Sequence, residues 1–540
     1  MKLIKKTLYT VCILTNGGLS MTVKTIQILA TSDIHGYIMP TTFRDERNET
    51  LGLAKLASII QEKRHKGPTL LLDNGDFIQG SPMTFYHQKF QAHIPNPFIQ
   101  VANALQYDAM IFGNHEFNYG LPTLQSVIKQ SHFPWLGANI LTDGGSPLTK
   151  PYIIKEVDGI HIGVLGVTTH FVTHWEEPQH ISGLHFEDAF TSASYWAKWM
   201  RANEQIDVLI LCYHGGFERD LETGALLEDE NGENQGYRMC TEIEEVDIII
   251  TGHQHREICS IINGKSVVQP GTKGICLASI ELAITLDNEQ RIHSIAHTPS
   301  LLYVKEDTKC QATVCDLISP TFQKTDAWLD ETIGTIQGNM LVEEAFLARI
   351  QEHPYIEFIN RIQMEASGAA ISCTALFHDE HGGLKHAVTM RDIVTNYIYT
   401  NTLKVLRLSG LDILLALEQS ATYFTVDGDE LKVAKTFLYP KAQPYNYDMW
   451  EGIEYVLDIS KPIGERVTML TIQGEPIKME EEFEVVMSSY RATGAGNFDF
   501  LRNRHVVKEI QIDMTELIAE YLLKYPIIQA TCNHNWRVTF

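Results

Sequence analysis

Five short clusters of Asp, His and Asn punctuate the first half of the chain: Asp33-x-His35, Asp76 in GDFIQGSP, Asn114-His115 in GNHEFNYG, His214 in YHGG, and His253-x-His255 in GHQH. Borderline divalent ions take imidazole nitrogen and carboxylate oxygen together, a donor mixture that neither a calcium site nor a thiolate zinc site predicts. One carboxylate can bridge two such ions, and a pair ~3.5–4 Å apart clamps a phosphoryl group during displacement. Each cluster alone has a plainer reading. Asp-x-His is commonly a helix cap beside a surface histidine, GHQH a turn, and GDFIQGSP a glycine-rich loop with a capping Asp. Repetition sets the plain readings aside, because all five clusters follow the same kind of segment.

That segment is a short apolar run: TIQILAT, PTLLLDN, DAMIFG, DVLILCY and DIIITG each end where a cluster begins. Runs this short and this rich in Ile, Val and Leu read as buried strands. Between the first two, GLAKLASIIQEKRHKG places Leu53, Leu56, Ala57 and Ile60 on one helical face, with Gly67-Pro68 ending it. Alternating strands and helices predict α/β layers, whose ligands gather at the carboxyl ends of strands. From about residue 300 to 352 the pattern is irregular. PYIEFINRIQMEASG then reads as a helix with Ile356, Phe358, Ile359 and Ile362 on its apolar side. We therefore expect a catalytic domain over 22–352, a linking helix over 353–366 and a mixed α/β domain over 367–540.

Bulk composition suits a multidomain globular enzyme: 540 residues, 44% hydrophobic and 20% charged. A formal net charge of −24 argues against binding a nucleic-acid polymer or an anionic membrane surface. An anionic substrate would then need local positive charge, which metal ions can supply. Nine scattered cysteines, without a C-x-x-C pair, fit reduced thiols. The first 21 residues hold lysines 2, 5 and 6 and a short, interrupted apolar run without an Ala-x-Ala site. We read them as a misassigned leader before a cytoplasmic chain starting near Met21. A genuine signal there would imply a secreted, periplasmic or envelope protein. No later run reaches the ~20 apolar residues of a membrane span.

The ordered set Asp-x-His, Gly-Asp-x-x-Gln-Gly, Gly-Asn-His-Glu, Tyr-His-Gly and Gly-His-x-His resembles the dinuclear metallophosphoesterases of the bacterial 5′-nucleotidase group. ATYF, YNYDMWEGIEY and YRATGAGNF are similar to that group's C-terminal nucleotide-binding domain. THWEEP, GNHEFNYG and YNYDMWEG look closest to its 2′,3′-cyclic-nucleotide 2′-phosphodiesterase/3′-nucleotidase branch. The resemblance runs from about residue 26 to about 505. It implies a four-layer α/β/β/α domain joined by a helix to the second, and a monomer acting on 2′,3′-cyclic and 3′-nucleotides with water activated by two divalent ions. Manganese, zinc, cobalt, iron and magnesium all suit such donors. One ion would be held by Asp33, His35, Asp76 and His255, the other by Asp76, Asn114, His214 and His253. His115 would face the phosphate as general acid or electrostatic stabiliser, and Glu116 would be structural.

Asn118 stands where the 5′-nucleotidase branch has a carboxylate partner for that histidine. An amide can orient imidazole without stabilising imidazolium, and it can also favour the wrong tautomer; a plain turn residue is the alternative. The resemblance further implies that Tyr445 and Tyr490 sandwich a nucleobase; Gly494 and Gly496 would allow close backbone approach, and Arg491 is a weaker substrate-binding candidate, more often a surface or salt-bridge arginine. With metals in one domain and base in the other, the 353–366 helix would act as hinge. The alternatives are a 5′-nucleotidase or nucleotide-sugar hydrolase and, from another class, a catalytically silent nucleotide-binding protein.

Overall fold

The computed structural model describes residues 21–540 except 44–47, 177, 228–229, 231, 378–381, 398–400, 429, 439–442, 503 and 511. The expected leader over 1–21 thus lies, but for Met21, outside the described residues. Among those described, no helix is long and apolar enough to cross a membrane. The chain divides into two compact units, 1–325 and 326–540.

All five predicted strands form in the first unit, as Thr22–Thr31, Thr69–Asp73, Ala109–Ile111, Val208–His214 and Ile248–Thr251. The first three lie side by side and parallel in one six-stranded sheet. The last two are parallel neighbours in a second six-stranded sheet. Strand periodicity explains how the sheets meet. Alternate residues Ile26, Ile28 and Ala30 of one sheet, and Val208, Ile210 and Cys212 of the other, join a single buried cluster between them. The outer face of the second sheet packs on the Ala189–Asn203 helix through Leu209, Leu211, Ala193 and Ala197. On the first sheet's side, the Leu53–Lys66 helix buries Leu53, Leu56, Ala57 and Ile60, the face its spacing predicted. The result is the expected α/β/β/α layering.

The boundary falls elsewhere than expected. The Pro354–Ser367 helix is part of the second unit, where Ile356, Phe358, Ile359 and Ile362 are buried and the helix packs beside the Ile371–Ala375 strand. The irregular stretch before it holds an 18-residue helix, Ala312–Leu329, running through Pro320. Its buried stripe is Val314, Ile318, Thr321, Thr325 and Leu329. Two threonines in that stripe, and the proline, hide a helical period that buried spacing makes plain. The second unit is built on a mixed five-stranded sheet in the order Asp448–Glu451, Ile371–Ala375, Glu482–Ser488, Leu403–Ser409, Val506–Ile510.

Candidate active site

Every one of the seven predicted metal ligands sits at the carboxyl end of one of the five strands, and they converge. His35 Nδ1–H donates to the Gln79 carbonyl at 2.9 Å, so Nε2 presents its lone pair. That Nε2 lies 3.0 Å from Nε2 of His255, which is itself 3.4 Å from Asp33 Oδ1. His214 Nδ1–H donates to the Asn74 carbonyl at 2.7 Å, leaving Nε2 3.2 Å from Asp76 Oδ2 and 3.1 Å from Asn114 Oδ1. His253 Nδ1 is 3.0 Å from the same Asn114 oxygen. Asp76 Oδ2 also lies 3.9 Å from His35 Nε2, so one carboxylate faces both groups of nitrogens.

Holding these side chains together strains the backbone. Asp33, His35, Asp76, His253 and His255 have φ of 53°, 49°, 58°, 68° and 57°, a left-handed conformation that residues with a Cβ seldom adopt. Gly75, at φ 96°, must be glycine for a second reason: a Cβ there would lie 2.5 Å from the Gly113 nitrogen and 2.7 Å from His214 Nδ1. Glu116 binds the two loops to each other. Fully buried, its carboxylate accepts the backbone N–H groups of Asp76 (2.8 Å), Phe77 (2.7 Å) and Gly113 (2.6 Å). This is the structural role expected of it.

The electrostatics fit a cation. Burial alone would raise Asp33 and Asp76, but their imidazole neighbours outweigh it and hold both below the ordinary carboxylate range. Burial drives His35 down to about 3 despite Asp76, whereas for His214 the Asp76 carboxylate overcomes burial and lifts it to about 10. Positive charge beside Asp76 thus comes from a ring proton that a divalent ion would displace. Fully buried carboxylates, lone pairs aimed at one another and a mixed nitrogen–oxygen donor set suit borderline divalent ions.

His115 stands at the rim with its backbone N–H on Asp76 Oδ1 at 2.9 Å, and its ring edge-on to His35 with centroids 5.4 Å apart. Its Nδ1 meets Asn118 Oδ1 at 2.6 Å, and Asn118 Nδ2 donates to Glu176 Oε2 at 2.6 Å. An ionised Glu176 can only accept. The amide must therefore turn its NH₂ to Glu176 and its carbonyl to His115, which requires the Nδ1–H tautomer. The carboxylate missing at position 118 has moved one link back, and Glu176 also holds His180 Nδ1 at 2.8 Å. Glu176 lies in the THWEEP stretch but was not singled out. Also missed was Glu233, which accepts from His253 Nε2 at 3.0 Å and so orients that ring.

In the second unit, Tyr445, Tyr490, Arg491 and Asp448 line a cavity of about 260 Å³ together with Phe377 and Asn401. The two tyrosines are not parallel plates: their centroids are 6.1 Å apart and the rings cross at 79°. A base can stack on either face but is not sandwiched between them as they stand. Arg491 lines the cavity and also makes the salt bridge named as its alternative role. Only 2% exposed, it grips Asp448 with Nε at 2.5 Å and Nη2 at 3.0 Å, and donates to the carbonyls of Tyr445 and Ala495. Its guanidinium positions the tyrosine loops, leaving little to offer a phosphate. Gly494 and Gly496, at φ 84° and 74°, close the turn around it. A Cβ on Gly496 would meet Asn446 Oδ1 at 2.1 Å, so the close approach is to Asn446. Arg491→Leu strands a buried carboxylate, and urea unfolding of the variant should show a loss of about 3–5 kcal/mol.

A calcineurin-like phosphoesterase family model matches residues 26–257, and a 5′-nucleotidase C-terminal domain model matches 332–503. A Staphylococcus aureus chain assigned as a 5′-nucleotidase, crystallised with alpha-ketoglutarate, is 35% identical with a TM-score of 0.77, over 96% of this chain and 100% of that one. A trifunctional nucleotide phosphoesterase of Bacillus subtilis is 28% identical over 95% of this chain, which spans 39% of that protein's length. A 2′,3′-cyclic-nucleotide 2′-phosphodiesterase/3′-nucleotidase of Yersinia enterocolitica is 26% identical over 95% of this chain and 88% of that one. Calcineurin-like phosphoesterases use divalent metals, and the Asp33, Asp76, His214 and His255 cluster is where this chain gathers metal-type donors. The chain belongs to the 5′-nucleotidase family of metallophosphoesterases, hydrolases of nucleotide phosphate esters.

Proposed function

We propose that the protein is a 2′,3′-cyclic-nucleotide 2′-phosphodiesterase and 3′-nucleotidase. The gathering of seven nitrogen and oxygen donors from five strand ends, with Asp76 facing both groups of nitrogens, carries the hydrolytic part of this reading. Asp33, His35, Asp76 and His255 would hold one divalent ion, and Asp76, Asn114, His214 and His253 the other. Bound there, the ions would supply Lewis-acid chemistry, polarising phosphoryl oxygens and lowering the pKa of water. The protein's own groups do the rest. Glu116 keeps the Asp76 and Asn114 loops in register, Glu233 orients His253, and the Asn118–Glu176 relay holds His115 with its proton on Nδ1. His115 Nε2 is then the nitrogen that meets the substrate, and with a second proton there, as imidazolium, it would steady charge on the departing ribose oxygen. Stacking on Tyr445 or Tyr490 would accept any base, because each offers a π-face.

The substrate branch rests on Asn118 and on the activities of relatives such as the Yersinia protein. The Staphylococcus chain favours the second reading, a 5′-nucleotidase on the same scaffold. A side-by-side assay of a 3′-nucleotide, a 5′-nucleotide and a 2′,3′-cyclic nucleotide separates the two. We expect the first and third to be hydrolysed and the second poorly so. Cleavage confined to the 5′-nucleotide would move the protein to the other branch.

A further inference from the structure

The second unit holds another concentration of metal-type donors, used by nothing described above. Glu352 stands just before the Pro354–Ser367 helix and Glu357 in its first turn. Glu451 ends the Asp448–Glu451 strand, and Cys532 and His534 lie in the loop leading to the Trp536–Thr539 strand. Ligand atoms of Glu352, Cys532 and His534 all lie within 4.8 Å of one another, and so do those of Glu352, Glu357 and Glu451. Glu352 is common to both trios.

Burial separates this cluster from ordinary surface acids. Glu352 and Glu357 are only 7% and 6% exposed. One Glu352 oxygen accepts the His534 backbone N–H, but Glu352 Oε1 and Glu357 Oε2 have no hydrogen-bond partner among the described residues. The Asn535 amide oxygen is buried and unpartnered in the same way. Each such orphan costs about 1–3 kcal/mol, and more when charged, so three together call for an occupant. The ion pair described here, Arg361 with Glu357, supplies one positive charge against three carboxylates.

The tail is shaped around the cluster. Asn533 and Asn535 donate to the two Glu451 oxygens at 2.8 and 3.3 Å, while the residues between and before them, His534 and Cys532, bring their donors to Glu352. His534 adopts φ 58°, the left-handed backbone shared by five of the active-site donors. Cys532 is a free thiol whose sulfur lies 3.8 Å from His534 Nδ1. Two ligands of one tetrahedral zinc, at ~2.3 Å for sulfur and ~2.0 Å for nitrogen, would be about 3.5 Å apart.

We propose that Glu352, Cys532 and His534 bind a structural divalent cation of the zinc type, with Glu357 completing the donor set and Glu451 fixing the loop that carries the thiol and imidazole. Sulfur and nitrogen donors beside the carboxylates select zinc over calcium or magnesium. Binding releases the thiol proton to solvent and staples the C-terminal strand to the start of the 354–367 helix.

Cobalt(II) tests this on the full chain, because none of the seven donors of the active site is a thiolate. Metal-stripped protein titrated with Co²⁺ should develop a thiolate-to-cobalt charge-transfer band. The band should survive Asp76→Ala and vanish in Cys532→Ser, with His534→Ala, an exposed side chain, weakening it. Elemental analysis should find Glu352→Gln short of wild type by a single zinc per chain. Circular dichroism identical to wild type establishes that the Ser and Gln variants fold. Absence of the band in wild type, its persistence in Cys532→Ser, or an undiminished band in His534→Ala overturns the proposal.

Discussion

An Asp76→Ala variant folds, but it loses bound metal and its turnover of every nucleotide falls below about 1% of wild type, beyond the 10–100-fold that displaced outer partners cost. The expectation follows from what Asp76 touches. It is 1% exposed and lies within 3.2 Å of His214 Nε2 and 3.9 Å of His35 Nε2, so both groups of nitrogens depend on the same carboxylate. Its other oxygen accepts the His115 backbone N–H at 2.9 Å, which couples the ion site to the loop bearing the candidate acid. Alanine removes the carboxylate that lifts His214 to about 10 and, with it, the anionic oxygen that faces both groups of nitrogens, so the neutral imidazoles left behind hold a cation without its main counter-charge. Inductively coupled plasma mass spectrometry and the three-substrate assay on one preparation read both losses. A variant that kept full metal content would show that Asp76 does not bridge, and that the ions are held by His35, His255, His214 and His253 with other oxygens.

The donors were legible because they recur at one place in a repeating unit. Asp33, Asp76, Asn114, His214 and His253 each follow a run whose Ile, Val and Leu content can only be a buried strand. Strand ends are fixed points, so residues beside them are placed by the fold. The residues that align those donors have no such anchor. Glu233 belongs to a loop with no period, and Glu176 to a short turn; only the folded chain brings Glu176 to a residue 58 positions away. Arg491 illustrates the opposite case. Its neighbours in YRATGAG marked a ligand site, while Asp448, a carboxylate 43 positions away on the Asp448–Glu451 strand, claims its guanidinium. The helix at 354–367 poses a related ambiguity: it is amphipathic whether it links two domains or packs inside one. Periodicity reports a buried face and says nothing about which partner covers it.

His115→Ala should keep its metals and lose about 10²–10⁴ in kcat, the range for a positioned proton donor. Metal retention follows because the ring's one described hydrogen bond runs away from the ion donors, through Nδ1 to Asn118 at 2.6 Å. Glu176→Gln distinguishes a relay from mere packing. Glutamine keeps the size, and its carbonyl can still accept from Asn118. Its NH₂ can also donate, so the Asn118 amide is no longer forced to show its carbonyl to His115. A fraction of molecules then presents the wrong tautomer. We expect kcat to fall about tenfold, the low end for an outer partner, with KM and metal content unchanged. The effect should disappear in the His115→Ala background, since a residue that acts only by orienting His115 has nothing left to orient. Two losses that simply multiplied would detach Glu176 from the histidine, and metal loss in His115→Ala would make the ring a ligand instead of an acid.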